Sequence, residues 1–298
     1  VVVNDLFMTP TAIAFADLVL PAAMSPERNS QRCWWVPNRT LTKVTQYEEC
    51  VSDDDLVTMV GKRLHPENFP WDDNIGWINH IFEHETNDEL PYKSFEEAQK
   101  VVWSYPAFTY LKHEKGLLRP DGQPGFNTPS GRIELYNTNL MLWGYDPLPD
   151  FKEPSCSPVS SPELAEKYPL VLTTGARPWG FFHSEHRQSP SMRRLHPDPT
   201  VLIHPETAAA YGIADGDWVT IENNFGSCRQ KAELTTRIRK DTVSADHAWW
   251  FPERGPEDGT LFGTLESNIN QLVPMRPGKS GLGASYKSQL CTIGKVEE

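Results

Sequence analysis

Apolar and polar positions change their rhythm near residue 146, and the stretches on either side predict different architectures. Residues 1–4 and Asp17-Leu18-Val19-Leu20-Pro21 are short apolar runs, too brief for helices and rich in strand formers. Residues 9–16 between them predict a short helix, with Pro10 suited to its first turn. Strand, helix, strand is the tail of a parallel α/β layer. Asp5 stands at the carboxyl end of the first strand, where ligands of open α/β sheets bind. Further on, Ser52-Asp53-Asp54-Asp55 precedes the amphipathic run Leu56, Val57, Met59, Val60 and Leu64, which predicts a capped helix with acid at its positive end. A second helix is predicted over 73–84. A third starts at Ser94, with Glu97 at capping-box spacing. Glycine and proline then punctuate 116–129, and residues 132–136 predict a short strand.

Five prolines between 146 and 162, at 147, 149, 154, 158 and 162, mark a linker. Beyond it the period shortens to two. Strands are predicted over 170–174, 201–203, 218–222, 227–235 and 242–250, with a short helix over 205–210 stopped by Gly212. Strands this short and this closely spaced predict a small barrel. The expected organisation is an α/β region over 1–145, a linker over 146–165 and a barrel over 166–298.

A net charge of −12, from 28 Lys+Arg against 40 Asp+Glu, argues against a nucleic-acid partner, which demands a basic face. The cysteines, Cys33, Cys50, Cys156, Cys228 and Cys291, form no C-x-x-C pair, so neither a zinc site nor a disulfide framework is predicted and the compartment stays open. No apolar run approaches the length of a membrane span. The chain begins directly in a strand, as a piece cut from a larger protein is expected to.

The chemistry concentrates in LVLTTGARPWGFFHSEHRQ, residues 170–188. The strand ends at Gly175, and Pro178 and Gly180 keep the following loop irregular. Into that loop are packed Arg177, Arg187, His183, His186, Ser184 and Glu185, among Trp179, Phe181 and Phe182. Backbone amides after such a glycine suit anions, and the arginines suit phosphate or the polar edge of a heterocycle. Elsewhere His80-Ile81-Phe82-Glu83-His84 fits H-x-x-E-H, the inverted zinc-hydrolase pattern. Ile75, Ile78, Ile81 and Phe82 form the opposite helix face, so the pair is expected on the wet side and without a catalytic metal. Gly278-Lys279-Ser280 resembles the end of a phosphate loop, but Val273 stands where its first glycine belongs. Gly281-x-Gly283 is too short to mean dinucleotide binding, and no G-x-S-x-G elbow is present.

Several segments, in order, resemble the molybdopterin oxidoreductases of the dimethyl sulfoxide reductase superfamily. They are Asn4-Asp5, Asp17 to Ala23, Glu27-Arg28, and Thr128-Pro129-Ser130-Gly131-Arg132-Ile133-Glu134-Leu135-Tyr136. Tyr168-Pro169-Leu170 through Gly175, His183-Ser184, His204-Pro205 through Gly226, Asn268-Ile269-Asn270 and Tyr286-Lys287 continue the likeness. The resemblance implies a partial α/β layer followed by an all-β six-stranded double-psi barrel. It also implies two molybdopterin guanine dinucleotides holding molybdenum or tungsten. Carried over residue by residue, Thr174, Gly175, Arg177, Phe182, His183 and Ser184 correspond to a pterin- and phosphate-binding loop, and Asn270 and Lys287 to later cofactor contacts. Asn4, Asp5, Arg28 and Asp55 correspond to contacts with the nucleotide end.

The same resemblance implies a cofactor-binding C-terminal portion that is not catalytic alone. An N-terminal remainder of the enzyme would then supply the iron–sulfur cluster and the metal's protein ligand, and an iron–sulfur electron-transfer subunit is an implied partner. Ser30 departs from the glycine the family often has after its Glu-Arg/Lys pair. Trp34-Trp35, the 183–187 run and Trp249-Trp250-Phe251-Pro252-Glu253 are most similar to the branch that contains acetylene hydratase and the aromatic hydroxyl-transferring or dehydroxylating enzymes. The rival readings are a zinc hydrolase using His80, Glu83 and His84, and a stand-alone barrel acting as a binding module.

Overall fold

The computed structural model describes residues 1–32, 38–84, 90–103, 109–148, 150–276 and 286–297. The Trp34-Trp35 pair, the Gly278-Lys279-Ser280 run and Gly281-x-Gly283 lie outside the described residues. The chain forms two compact units, one from Val1–Met8 and Phe15–Asp150, the other from Thr9–Ala14 and Phe151–Glu298.

In the first unit, β1 (Val2–Asp5) and β2 (Leu18–Pro21) pair in parallel from Val2 opposite Leu18 to Asp5 opposite Pro21. The helix α1 (Pro10–Phe15) connects them in the chain. A two-stranded antiparallel ribbon, β3 (Ser30–Arg32) and β4 (Arg39–Leu41), follows. Then come α2 (Asp53–Leu64), α3 (Asn74–Glu83) and the single turn α4 (Phe95–Ala98). Each helix start is capped: Ser52 accepts from the Asp55 amide, Asp73 from Gly76 and Ser94 from Glu97, though the Glu97 carboxylate accepts from the Lys93 amide and so leaves the predicted box half formed. The helix α2 does not bury the face its periodicity predicts. Thr58 and Gly61 are buried, while Val57, Met59, Val60 and Leu64 are exposed. The small residues are chosen by their neighbours: Gly61 lies under the Phe69 ring and the Thr58 hydroxyl accepts from Trp71 Nε1 at 2.9 Å. Ile78, Phe82, Tyr92, Phe95 and Ala98 make a compact core. The strand predicted over 132–136 is absent; Ile133 and Leu135 are exposed, and among the described residues no strand pairs with that segment.

The second unit is a closed six-stranded barrel. Its strands are β5 (Leu170–Thr174), β6 (Thr200–Ile203), β7 (Trp218–Asn223), β8 (Gly226–Leu234), β9 (Thr242–Ala245) and β10 (Gln289–Lys295). Around the barrel the order is β10-β5-β9-β6-β8-β7. The neighbours β5 and β9 are parallel, as are β6 and β8, so their connections cross over. Closure removes the free edges that open sheets carry. Alternate residues such as Leu170, Leu172, Val219, Ile221, Val243 and Ala245 point into one continuous core. Two expectations change. The strand predicted over 242–250 stops at Ala245, and β10, unread in the sequence, closes the barrel against β5 and β7.

Candidate functional site

Parallel pairing of β5 with β9 sets Thr174 opposite Ala245, so both strands end at the same rim. Thr174 is held in the barrel, its hydroxyl donating to the Ala245 carbonyl at 2.9 Å and its amide to the Tyr286 carbonyl at 3.1 Å. Its amide and hydroxyl are therefore both engaged within the barrel. The next three amides, of Gly175, Ala176 and Arg177, have no backbone hydrogen bond among the described residues. Gly175 sits at φ +90°, and a methyl group there would come within 3.1 Å of the Tyr286 ring and 3.6 Å of the Lys287 amine. Only a glycine combines that backbone with that close approach.

At this rim a cleft of about 440 Å³ is lined by Thr174, Gly175, His183, His247, Asn270, Val273, Pro274, Met275 and Tyr286. Four of the sequence-predicted residues, from two distant segments, thus meet, and the Lys287 amine lies beside Gly175. Asn270 reaches the cleft because Ile269 and Leu272 bury their side chains and Asn268 caps the turn, accepting from the Asn270 amide at 3.1 Å. Phe182 and Ser184 are exposed and line no part of the cleft; the Arg177 guanidinium stacks 4.7 Å from the Phe182 ring centre. Ser184 contributes its carbonyl to Trp250 Nε1 at 2.9 Å.

The residue missed in the sequence is His247, whose Nε2 lies 2.9 Å from His183 Nδ1. One ring donates and the other accepts, so the contact suits a neutral pair. Burial, and next the neighbouring His183, hold His247 below the usual imidazole range, against the opposing influence of the Ala176 carbonyl and Asp246. Nothing periodic marks position 247. Only the knowledge that β5 and β9 run in parallel would have placed it at the same rim as Gly175.

Arg187, which by its sequence suited phosphate or the polar edge of a heterocycle, is instead buried within the protein. Its side chain is 1% exposed and lies flat between Phe181 and Trp249, 4.7 and 4.6 Å from their ring centres. Nη1 donates to the carbonyls of His183 (2.6 Å) and Glu185 (3.2 Å), and Nη2 to that of His247 (3.3 Å). Burial pulls its pKa down to about 10, which leaves it charged at neutral pH. The guanidinium therefore ties together the two loops that carry the histidines. Those loops are strained: His183, His186 and Ala248 have φ of 50°, 69° and 55°. Such backbone costs on the order of 1–3 kcal/mol per residue and persists only where the surroundings enforce it.

In the first unit, Asn4 donates to Asp53 at 2.7 Å and Asp5 accepts from the Leu6 amide at 2.7 Å. Both Asp55 oxygens are engaged, by the Ser52 hydroxyl and the Asn74 amide, each at 2.7 Å. Arg28 is different, since its buried Nε has no hydrogen-bond partner among the described residues. His80, Glu83 and His84 do converge, with one ligand atom from each within 4.8 Å of the others. Glu83 and His84 are exposed and His80 half-buried, but Ile81, which the helical wheel placed on the apolar face, is exposed as well. No helix among the described residues is long and apolar enough to cross a membrane.

Residues 170–290 match the family described as "Molydopterin dinucleotide binding domain". The chain is 35% identical over 266 residues to acetylene hydratase of Syntrophotalea acetylenica, covering 87% of this chain and 34% of that protein. It is 30% identical over 301 residues to dimethyl sulfoxide/trimethylamine N-oxide reductase of Rhodobacter capsulatus, covering 91% and 34%. The solved structure of acetylene hydratase from Pelobacter acetylenicus superposes with a TM-score of 0.82 at 30% identity, over 99% of this chain and 40% of that one. The chain thus spans about a third of the length of these curated relatives.

Proposed function

The chain belongs to the molybdopterin oxidoreductases of the dimethyl sulfoxide reductase superfamily, and from that premise we propose that the rim cleft cradles the pterin of a molybdopterin guanine dinucleotide. The barrel is the family's cofactor-binding domain, and the zinc-hydrolase alternative finds no support in the comparisons. The observation that carries the reading is the meeting of Gly175, His183 and Asn270 in one cleft, with Lys287 beside Gly175. A pterin edge carries both donors and acceptors, and an imidazole pair, a carboxamide and three amides with no backbone hydrogen bond among the described residues offer both in return. Lys287 supplies a positive charge suited to the pyrophosphate.

The bound cofactor would supply a molybdenum or tungsten centre for the chemistry. This chain's residues hold and orient the pterin, and Arg187 keeps the two histidine loops in register around it. In the first unit Arg28, with its unpaired Nε, is the strongest of the nucleotide-end candidates, ahead of Asn4, Asp5 and Asp55, which have partners. The whole enzyme would gain its iron–sulfur cluster and the metal's protein ligand from a further N-terminal region. It would fall in the branch of the hydratases and dehydroxylating enzymes, with residues 146–165 linking its two regions here.

The test is His183→Ala in the complete enzyme, which is expected to lower cofactor content and turnover. Losing such a bond would leave the cofactor's polar edge unpaired, at roughly 1–3 kcal/mol where the bound cofactor excludes water. His204→Ala is the control, because that ring only accepts from the Glu206 amide, at 3.2 Å, at a helix start. Wild-type cofactor content and turnover in both variants would sink the assignment of His183.

A further inference from the structure

We propose that His80, Glu83 and His84 form a binding site for a divalent transition-metal ion of the zinc class, one that fastens the last turn of α3. The inference stands independently of the cofactor reading. Residues i, i+3 and i+4 share one face of a helix, and the three ligand atoms already lie within 4.8 Å of one another. Imidazole nitrogen and carboxylate oxygen are the donors that zinc takes at 2.0–2.2 Å, so a small side-chain adjustment closes the set.

Two further observations prepare the histidines. His84 Nδ1 lies 2.8 Å from the His80 carbonyl. A carbonyl only accepts, so Nδ1 carries the hydrogen and Nε2 presents its lone pair. This is how metal-binding imidazoles are commonly oriented, by a hydrogen bond from the other ring nitrogen. The His80 ring packs 4.9 Å from Trp71 and 6.2 Å from Trp77, which limits its rotation. The two imidazole centres are 4.2 Å apart.

The site binds without hydrolysing. In the zinc-hydrolase pattern the glutamate is the base beside a metal-bound water, whereas here Glu83 converges with the histidines as a ligand. Glu83 and His84 are also exposed, and hydrolytic chemistry uses a dry, shaped cavity. Water completes the coordination. Because α3 carries Ile78 and Phe82 of the first unit's core, binding to the folded state alone stabilises that core by mass action.

The protein, stripped of metal with a chelator and dialysed, is titrated with cobalt(II) and then zinc(II). The readouts are cobalt ligand-field absorption, its displacement by zinc, and the melting temperature. One zinc per chain is expected, with a rise in melting temperature. His84→Gln and Glu83→Gln are expected to weaken binding by on the order of tenfold or more and to abolish the rise, with circular dichroism unchanged. His65→Ala, in the same unit and outside the cluster, is expected to bind like the wild type. Absence of binding up to about 1 mM zinc, a limit equivalent to negligible affinity, would overturn the proposal. So would equal affinity in wild type and the folded Glu83→Gln and His84→Gln variants.

Discussion

The two units are built on opposite plans. The barrel closes on itself, and Leu172, Val201, Ile203, Val219, Ile221 and Val243 are all fully buried in one core. In the first unit the described strands form only two-stranded sheets, and the core is a cluster around Ile78, Phe82, Tyr92, Phe95 and Ala98. Two-stranded sheets are marginal alone. Large apolar side chains there, among them Leu64, Leu135, Leu142 and Trp143, are more than two-thirds exposed. The barrel is thus held by burial, and the first unit leans on caps and polar ties such as Ser52, Asp55 and Asp73. A cofactor rim needs a scaffold that does not give, and it sits on the barrel.

The largest test of that contrast is Leu172→Ala. Removing a fully buried leucine from a closed core is expected to cost about 2–5 kcal/mol, through lost transfer energy and the cavity left behind. Urea unfolding followed by far-ultraviolet circular dichroism measures it. A loss below about 1 kcal/mol would mean that the barrel relaxes around the hole and is not the stiff half.

Next comes Arg187→Met, which keeps the packing between Phe181 and Trp249 but removes the three carbonyl contacts. A charged hydrogen-bond donor lost from a buried site is expected to cost roughly 1.5–3 kcal/mol. The sharper readout is local: the imidazole resonances of His183 and His247 should broaden or shift while the barrel's amide spectrum persists. Arg187→Lys is expected to behave like Met, since an ammonium lacks the planar fork. Full rescue by lysine would reduce Arg187 to a point charge.

How much was legible follows from where the information sits. Short period-two runs and a glycine stop are local signals, so β5, β6, β7, β8 and the loop after Gly175 could be read from the chain. The caps at Ser52, Asp73 and Ser94 are local as well. What escaped was set by partners distant in sequence. The strand β10 has only Leu290, Cys291 and Ile293 as apolar anchors and gains its ladder from β5 and β7. Arg187 looked like a phosphate ligand because its sequence neighbours are polar, but Trp249, sixty-two residues on, buries it. His247 joined the cleft only through the crossover that makes β5 and β9 parallel. In α2 the apolar run promised a buried face, and Phe69 and Trp71 selected Gly61 and Thr58 instead.

Asp55 separates the two plans at a smaller scale. Its oxygens are taken by the Ser52 hydroxyl and the Asn74 amide, so it ties α2 to the start of α3. Asp55→Ala and Ser52→Ala are each expected to cost about 1 kcal/mol, the usual worth of a helix cap. The double variant should lose less than the sum, because the residues share a bond. Strict additivity, with cofactor affinity falling in Asp55→Ala alone, would move Asp55 from structural tie to nucleotide contact.

The smallest expected effect is a pH slope confined to the barrel rim. His247 is held below the usual imidazole value in the folded protein, chiefly by burial and then by His183, while in the unfolded chain it titrates near about 6.5. Above that pH the ring is neutral in both states and contributes no slope. As the pH falls below it, the unfolded chain takes up a proton that the folded ring still refuses. Unfolding is then favoured, and stability declines until the folded ring also titrates. His247→Gln keeps an amide that can donate to or accept from His183 but cannot titrate. Its urea midpoint should therefore change less between pH 7.5 and pH 5.5 than that of the wild type, with every other titrating group common to both proteins. Equal changes would show that the folded rim accepts a proton as readily as water-exposed imidazole does. A larger change in the variant would reverse the sign and mean that the charged form is the one the rim stabilises. The expected outcome leaves His247 neutral at physiological pH, its Nε2 within hydrogen-bonding distance of His183 Nδ1.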